Sequence, residues 1–271
     1  MRAFVALDTA TEQVAVGVGD VDDPSAVLAE RSFAAPRAAN EVLLLTVEGL
    51  LAEAGLRATD VAAVACGRGP GSFTGVRIAV ATAKGMAHGL GVPLVGFGTS
   101  DAIAQRASRP GIVGVVTDAM RGEVYPALFE VGHDGRVARL TPDRVATPDE
   151  VARGWAARGE RMLVTGTGLA KHREVFERVL GDAAEFADER TWVPDGASLV
   201  RAAWSSDGDG ALRAVVGLSS GAAYAAAHPA VLLPVYTRLS DAEEAERRRA
   251  AASREPGSTG VAGPLEGGEA S

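Results

Sequence analysis

The stretch from Gly67 to Gly75 reads G-R-G-P-G-S-F-T-G and runs into a helical pattern. Glycines ahead of a helix N-terminus are how many proteins hold phosphate, because free backbone N–H groups converge there on an anion. A P-loop also needs a lysine in G-x-x-x-x-G-K-[ST], and none stands at that spacing after Gly67, Gly69 or Gly71. A dinucleotide fingerprint needs G-x-G-x-x-G, but Gly69-Pro70-Gly71-Ser72-Phe73-Thr74 ends on threonine, with Gly75 one place late. Two readings remain. Gly69, Gly71, Ser72 and Thr74 could form an anion loop, or the glycines could simply turn a strand sharply and seat a small-residue helix against a sheet. The second needs nothing beyond the residues present.

Other reactive side chains are tested in the same way. Asp8 and Asp118 each end an apolar β-pattern, where a carboxylate could face phosphate or Mg²⁺ or could only begin a turn. Gly217-Leu218-Ser219-Ser220-Gly221 matches the hydrolase pattern G-x-S-x-G. That chemistry needs an acid and then a histidine downstream, whereas only His228 follows, so Ser219 or Ser220 is expected to cap a helix. His88, His133, His172 and His228 fall in separate elements without the i+3 or i+4 partner of a metal site. No metal or cofactor is expected.

Composition narrows the function classes. The 271 residues, 47% of them hydrophobic, suffice for one large or two small domains with a real core. One cysteine, Cys66, cannot form an internal disulfide, and Asp8 interrupts the N-terminus before a signal-peptide core could form, so a cytoplasmic location is expected. The window 217–236 is broken by His228, Pro229 and Pro234; it reads as a buried helix followed by an edge strand, not a membrane span. A net charge of −8 opposes a chain that grips a nucleic-acid backbone by itself.

The elements that must hold these residues are legible from their periods. Strands are expected at Ala3–Leu7, Val14–Val18, Val27–Phe33, Val61–Cys66 and Pro93–Phe97, with helices at Asn40–Ala54, Val76–Leu90 and Ser100–Arg106. A similar order restarts with strands at Ile112–Thr117, Val124–Glu130 and Arg136–Leu140, helix Pro148–Arg158, strand Met162–Thr165 and helix Leu169–Leu180. The fold class expected is α/β, two tandem βββαβα halves of the RNase-H-like kind shared by actin, sugar kinases and heat-shock ATPases. The halves are expected at 1–107 and 108–239, with the last helices free to pack back on the first half. Beyond them, 240–271 is expected to hold one short helix, with a Ser240–Glu243 capping box and basic last turn, then a disordered tail from Arg254.

The segments Leu7–Val18, Gly67–Ala104, Asp118–Phe129, Thr165–Gly168 and Leu233–Arg238 together resemble the bacterial TsaB family, also called YeaZ. The block G-R-G-P-G-S-F-T-G-V-R is close to a signature, and the likeness runs from about Phe4 to Arg238. The resemblance implies a non-catalytic partner subunit in making threonylcarbamoyladenosine, the modified base beside the tRNA anticodon. Its implied partners are a TsaD-like catalytic subunit and a TsaE-like ATPase, with tRNA reached only through the complex and no membrane. TsaD-like chains carry a metal-binding His-x-x-x-His where this chain reads Thr99-Ser100-Asp101-Ala102-Ile103. The turn after Asp8 is Thr9-Ala10-Thr11, without the glycine that close approach to phosphate usually requires. Asp8, Thr9, Thr11, Gly69, Gly71, Ser72, Thr74, Asp118, Arg121 and Glu123 are therefore expected to mark an inherited cleft with no catalytic residue.

Interface positions follow from surplus apolar width. In Asn40–Ala54, Leu43, Val47, Leu50 and Ala54 make one stripe, and Leu44, Leu45 and Leu51 widen it beyond one core face. The helix Val76–Leu90 carries only Arg77 and Lys84 as charges before His88. Leu44, Leu45, Leu51, Arg77, Val80 and Lys84 are expected at a surface shared with the TsaD-like subunit or a second copy; the competing expectation packs the extra leucines inside this chain. Relatives commonly show a histidine and a later proline near the start of the first of these helices, and this chain has neither. The alternatives are a small-molecule kinase or metallopeptidase of the same superfamily, which need ligands absent here, and a stand-alone RNA-binding module, which the acidity opposes.

Overall fold

A computed structural model describes residues 1–23, 25–107, 109–205, 212–218 and 220–235. The expected 241–249 helix with its cap, the tail from Arg254, the closing Tyr236-Thr237-Arg238 and the candidate cap Ser219 lie outside the described residues. The first sheet is built on β1 (Ala3–Asp8), buried at every position as a central strand covered on both faces must be. It pairs antiparallel with β2 (Gln13–Asp20), which pairs with β3 (Val27–Ala34), and parallel with β4 (Val61–Gly67), which pairs with β5 (Leu94–Phe97). Helices α1 (Ala39–Glu53) and α2 (Phe73–Leu90) make the crossovers, and α3 (Thr99–Ala107) leads out.

The second sheet repeats this pattern. Strand β6 (Gly111–Asp118) lies between antiparallel β7 (Val124–Val131) and parallel β9 (Met162–Thr165), with β8 (Val137–Arg139) and β10 (Ala184–Phe186) at the edges. The crossovers are α4 (Pro148–Ala156) and α5 (Leu169–Leu180). Three antiparallel strands followed by two parallel ones, in the order β3-β2-β1-β4-β5 and again β8-β7-β6-β9-β10, are the tandem RNase-H-like halves expected.

Four details differ. Strand β10 is additional to those expected, because three half-exposed residues leave no alternation to detect. Helix α2 starts three residues early, since the Ser72 hydroxyl accepts the Gly75 N–H and caps it at 3.2 Å. Strand β8 is shorter than the Arg136–Leu140 expected. The window 217–236 holds α8 (Ser220–Ala226) and a 3-10 turn at Pro229–Val231, but no strand among its described residues. Pro229 and Pro234 have no N–H to give a ladder.

Three layers result around the first sheet. Leu43, Val47 and Leu50 of α1 and Ala79 and Ala83 of α2 bury one face against Val5, Leu7 and Val16. The other face is covered by α6 (Gly196–Ser205), a helix from beyond the second sheet, through Leu199, Val200 and Ala203 against Phe4, Ala6 and Ala15. Gly17 makes that approach close enough, since a methyl there would strike the Gly196 carbonyl. After α6 come α7 (Leu212–Val215) and α8. Helix α3 serves both sheets, with Ala102 in the first core and Ile103 and Ala104 in a cluster with Val113, Val115 and Phe129.

Candidate functional site

Strand β1 ends in Asp8, and its carboxylate is sealed in. Asp8 is fully buried, and each oxygen has a partner: Oδ1 accepts the Ala10 N–H at 2.6 Å and Oδ2 accepts the Thr99 hydroxyl at 2.6 Å. Gly69 N–H donates to the same Thr99 Oγ1 at 3.2 Å, fixing the hydroxyl rotor toward Asp8. Burial pushes the Asp8 pKa up to about 6, even though the Thr99 and Ala10 hydrogen bonds pull the other way. A methyl at Gly67 would overlap Asp8 Oδ2, so the strand beside β1 must be bare there.

The glycine-rich loop is consumed by the same packing. Ser72 N–H donates to the Ala10 carbonyl at 2.7 Å, and the Thr9 hydroxyl donates to the Gly75 carbonyl at 2.6 Å. Side chains at Gly71 or Gly75 would collide with the carbonyls of Ala10 and Thr9. Gly69 sits at φ +91°, a left-handed value suited to glycine. Thus Asp8, Thr9, Gly67, Gly69, Gly71, Ser72 and Thr99 form one closed contact between the β1–β2 turn and the start of α2. The N–H groups of Gly69, Ser72 and Gly75, which could have faced an anion, face this chain's own oxygens. Thr11 only accepts from Gln13 N–H at 3.3 Å, and Thr74 is exposed on the first turn of α2.

Asp118, at the matching place in the second sheet, has a different setting. It is half-buried and ion-paired to Lys171 on α5, and its Oδ1 accepts the Met120 N–H at 3.0 Å. Its own N–H donates to Thr167 Oγ1 at 3.2 Å. Met120 and Arg121 take positive φ (64° and 53°), and Glu123 N–H closes the turn on the Met120 carbonyl at 3.0 Å. So Asp118 and Lys171 pair beside a tight exposed turn that carries Arg121. Sequence reading missed Thr99 as the partner of Asp8 and Lys171 as the partner of Asp118; separations of 91 and 53 residues leave no local signal. Among the described residues no group of three His, Cys, Asp or Glu side chains could hold a metal.

Exposure divides the side chains of α1 and α2. Leu44 and Leu45 are 48% and 66% exposed on α1, and Phe73 is 42% exposed at the start of α2. Arg77 lies with its guanidinium carbon 3.7 Å from the centre of the Phe73 ring, a cation–π contact that leaves it at the surface. Around them α2 presents Thr74, Ala81, Gly85 and His88 to solvent. Two expected interface residues are corrected: Leu51 and Val80 are 7% and 5% exposed and belong to the core under α1 and α2, so they offer no free surface. Lys84 is half-buried and donates to the Ala230 carbonyl at 3.3 Å, tying α2 to the 3-10 turn.

The family described as TsaD, tRNA N6-adenosine threonylcarbamoyltransferase, matches residues 33–245. An uncharacterized Mycobacterium leprae protein is 37% identical over 177 residues, 65% of this chain but 45% of that one. The Escherichia coli tRNA threonylcarbamoyladenosine biosynthesis protein TsaB is 34% identical over 168 residues, 61% of this chain and 71% of that one. A Pseudomonas aeruginosa crystal structure with similarity to peptidase YeaZ superposes with a TM-score of 0.68 at 30% identity, covering 88% of this chain and 100% of that one. The matched stretch thus spans less than half of the mycobacterial relative but all of the solved one. With its RNase-H-like halves and the G-R-G-P-G-S-F-T-G-V-R loop, the chain belongs to the TsaB (YeaZ) family.

Proposed function

We propose that this protein is a non-catalytic partner subunit in the synthesis of threonylcarbamoyladenosine in tRNA, docking a TsaD-like catalytic subunit through the exposed face of α1 and α2. A TsaE-like ATPase joins the pair, tRNA is held only by the assembled complex, and without a partner the same face closes on a second copy. Support comes first from the family, whose Escherichia coli member is named for this biosynthesis. The observation that carries the division of labour is the sealed Asp8, whose oxygens are spent on Ala10 and Thr99 while glycines pack the loop shut around it. A carboxylate in that state cannot reach a phosphate or a cation without unpacking α2. The docking face is argued from Leu44 and Leu45, two large apolar side chains in sequence that α1 turns to solvent.

Depleting the protein and measuring tRNA nucleosides by mass spectrometry tests the reading. Threonylcarbamoyladenosine falls if the proposal holds, and an unchanged level overturns it. Transfer of the threonylcarbamoyl group by the purified chain with no companion present would overturn the non-catalytic role specifically.

A further inference from the structure

Helices α1 and α2 do not cover their face of the first sheet alone. After α8 the chain returns, and residues 229–235 run beside α2. Lys84 Nζ donates to the Ala230 carbonyl at 3.3 Å, and Val235 N–H donates to the Arg68 carbonyl at 2.9 Å. The segment thus passes from the second half of α2 back to the loop that precedes it. Leu232 is its buried anchor, lying in the cluster that holds Leu43 and Val47 of α1 and Ala79 and Ala83 of α2. Gly96 of β5 leaves it room, since a methyl there would stand 2.7 Å from Leu232 Cδ1. With α1 against β2 and β3, α2 against β1 and β4, and Leu232 over β5, three pieces of chain lie side by side across one face of the sheet.

The outward side of the third piece is apolar. Leu232 leaves the 3-10 turn with an extended backbone (φ −66°, ψ 127°), so its neighbours turn the other way, and Val231 and Leu233 are 71% and 64% exposed. Phe73 stands about three turns before Lys84 on α2 and so shares its side of the helix, the side that meets Ala230. Val231 and Leu233 therefore continue, past Phe73, the apolar surface that Leu44 and Leu45 begin on α1. The two helices each have seven exposed positions. A stable interface uses about 20–30 residues a side, so α1 and α2 by themselves fall short of one.

We propose that the 229–233 turn is a third element of the docking face, with Val231 and Leu233 as apolar anchors for the TsaD-like subunit. The inference rests on the docking role proposed above and adds a strip of contact on the side of α2 away from α1. A TsaD-like subunit suits this width, because the family match takes in α1, α2 and the segment together, and a partner of the same fold has a layer of the same breadth. Two such layers set apolar side chains against each other with few charges to desolvate, and the Lys84 ammonium is already held by the Ala230 carbonyl.

The test is a binding titration of the full-length chain against the TsaD-like subunit of the same organism, with the melting curve of each variant recorded. Val231→Asp and Leu233→Asp should each weaken association at least tenfold while the melting curve stays in place. Met120→Asp adds the same charge at an exposed apolar side chain on the second sheet and should leave the affinity unchanged; an equal loss there would overturn the assignment, because added charge alone would account for it. Unchanged affinity in Val231→Asp and Leu233→Asp beside a tenfold loss in Leu45→Asp would overturn the third element and leave the α1–α2 docking standing. Unchanged affinity in all three would overturn both. Loss of self-association in Leu233→Asp, with affinity for the TsaD-like subunit intact, would give the strip to a second copy and overturn the proposal. If the variants do not fold, hydrogen exchange in the wild-type chain decides: slower exchange of the Leu232 and Leu233 amides on adding the subunit supports the proposal, and unchanged rates overturn it.

Discussion

Replacing Asp8 by Asn separates a sealed carboxylate from an open one. Asp8 is fully buried and its pKa is raised from 3.8 to about 6, so the folded chain holds its proton more tightly than the unfolded chain does. Stability contributed through this group is therefore greatest in acid and is lost as pH rises through the interval between the two values. Over the whole interval the loss comes to about 3 kcal/mol, of which about 2 kcal/mol falls between about pH 4.5 and about pH 7.5. Other acids titrate in the same range, but they are common to both proteins. The difference between wild type and Asp8→Asn isolates the one group. Denaturant unfolding at several pH values should thus show the variant gaining about 2 kcal/mol on the wild type over that span, whatever constant offset its altered hydrogen bonds with Thr99 and Ala10 introduce. Parallel pH profiles would refute the reasoning, because a carboxylate open to solvent or poised for a ligand has no such displaced titration.

The remaining predictions concern the loop, the helix face and the second sheet. Gly67→Ala forces a methyl into Asp8 Oδ2 and should cost more than about 3 kcal/mol or prevent folding, read as soluble yield and melting temperature. Gly85→Ala, where a methyl meets nothing within 4 Å on α2, should raise stability by about 0.5–1 kcal/mol, and a loss instead would mean that helix is misread. Leu45→Asp should change the melting temperature little yet weaken association with the TsaD-like subunit more than about tenfold in a binding titration, a loss above about 1.4 kcal/mol; unchanged affinity would move the docking face elsewhere. Lys171→Ala breaks the pair with Asp118, but the lysine is 54% exposed, so the cost should stay within about 1 kcal/mol of unfolding free energy.

Local pattern was enough for the framework. The apolar runs at β1, β4 and β6 and the period of α1, α2 and α5 are set by which residues must leave water, and these depend only on neighbours a few places away. The three antiparallel strands of each half and the parallel strand after its first crossover helix could be anticipated for that reason, whereas β10 could not. So could the absence of a P-loop lysine, which is a matter of spacing alone. The state of Asp8 could not be read locally. An aspartate ending a strand is compatible with a phosphate site and with a buried turn, and the choice was made by Thr99, 91 residues away, and by the bare strand at Gly67.

The same limit governed the leucines of α1. Leu43, Leu44, Leu45 and Leu51 are equivalent by composition, and the helical period alone distributes them over an arc wider than one core face. Only the packing of α1 in the folded core decides that Leu51 is covered and that Leu44 and Leu45 are not. Residue type and spacing carried most of the strand order and the family, because both are properties of short stretches of chain. Which carboxylate is sealed and which apolar side chains face out were settled by folding, because burial is set by residues far apart in the chain.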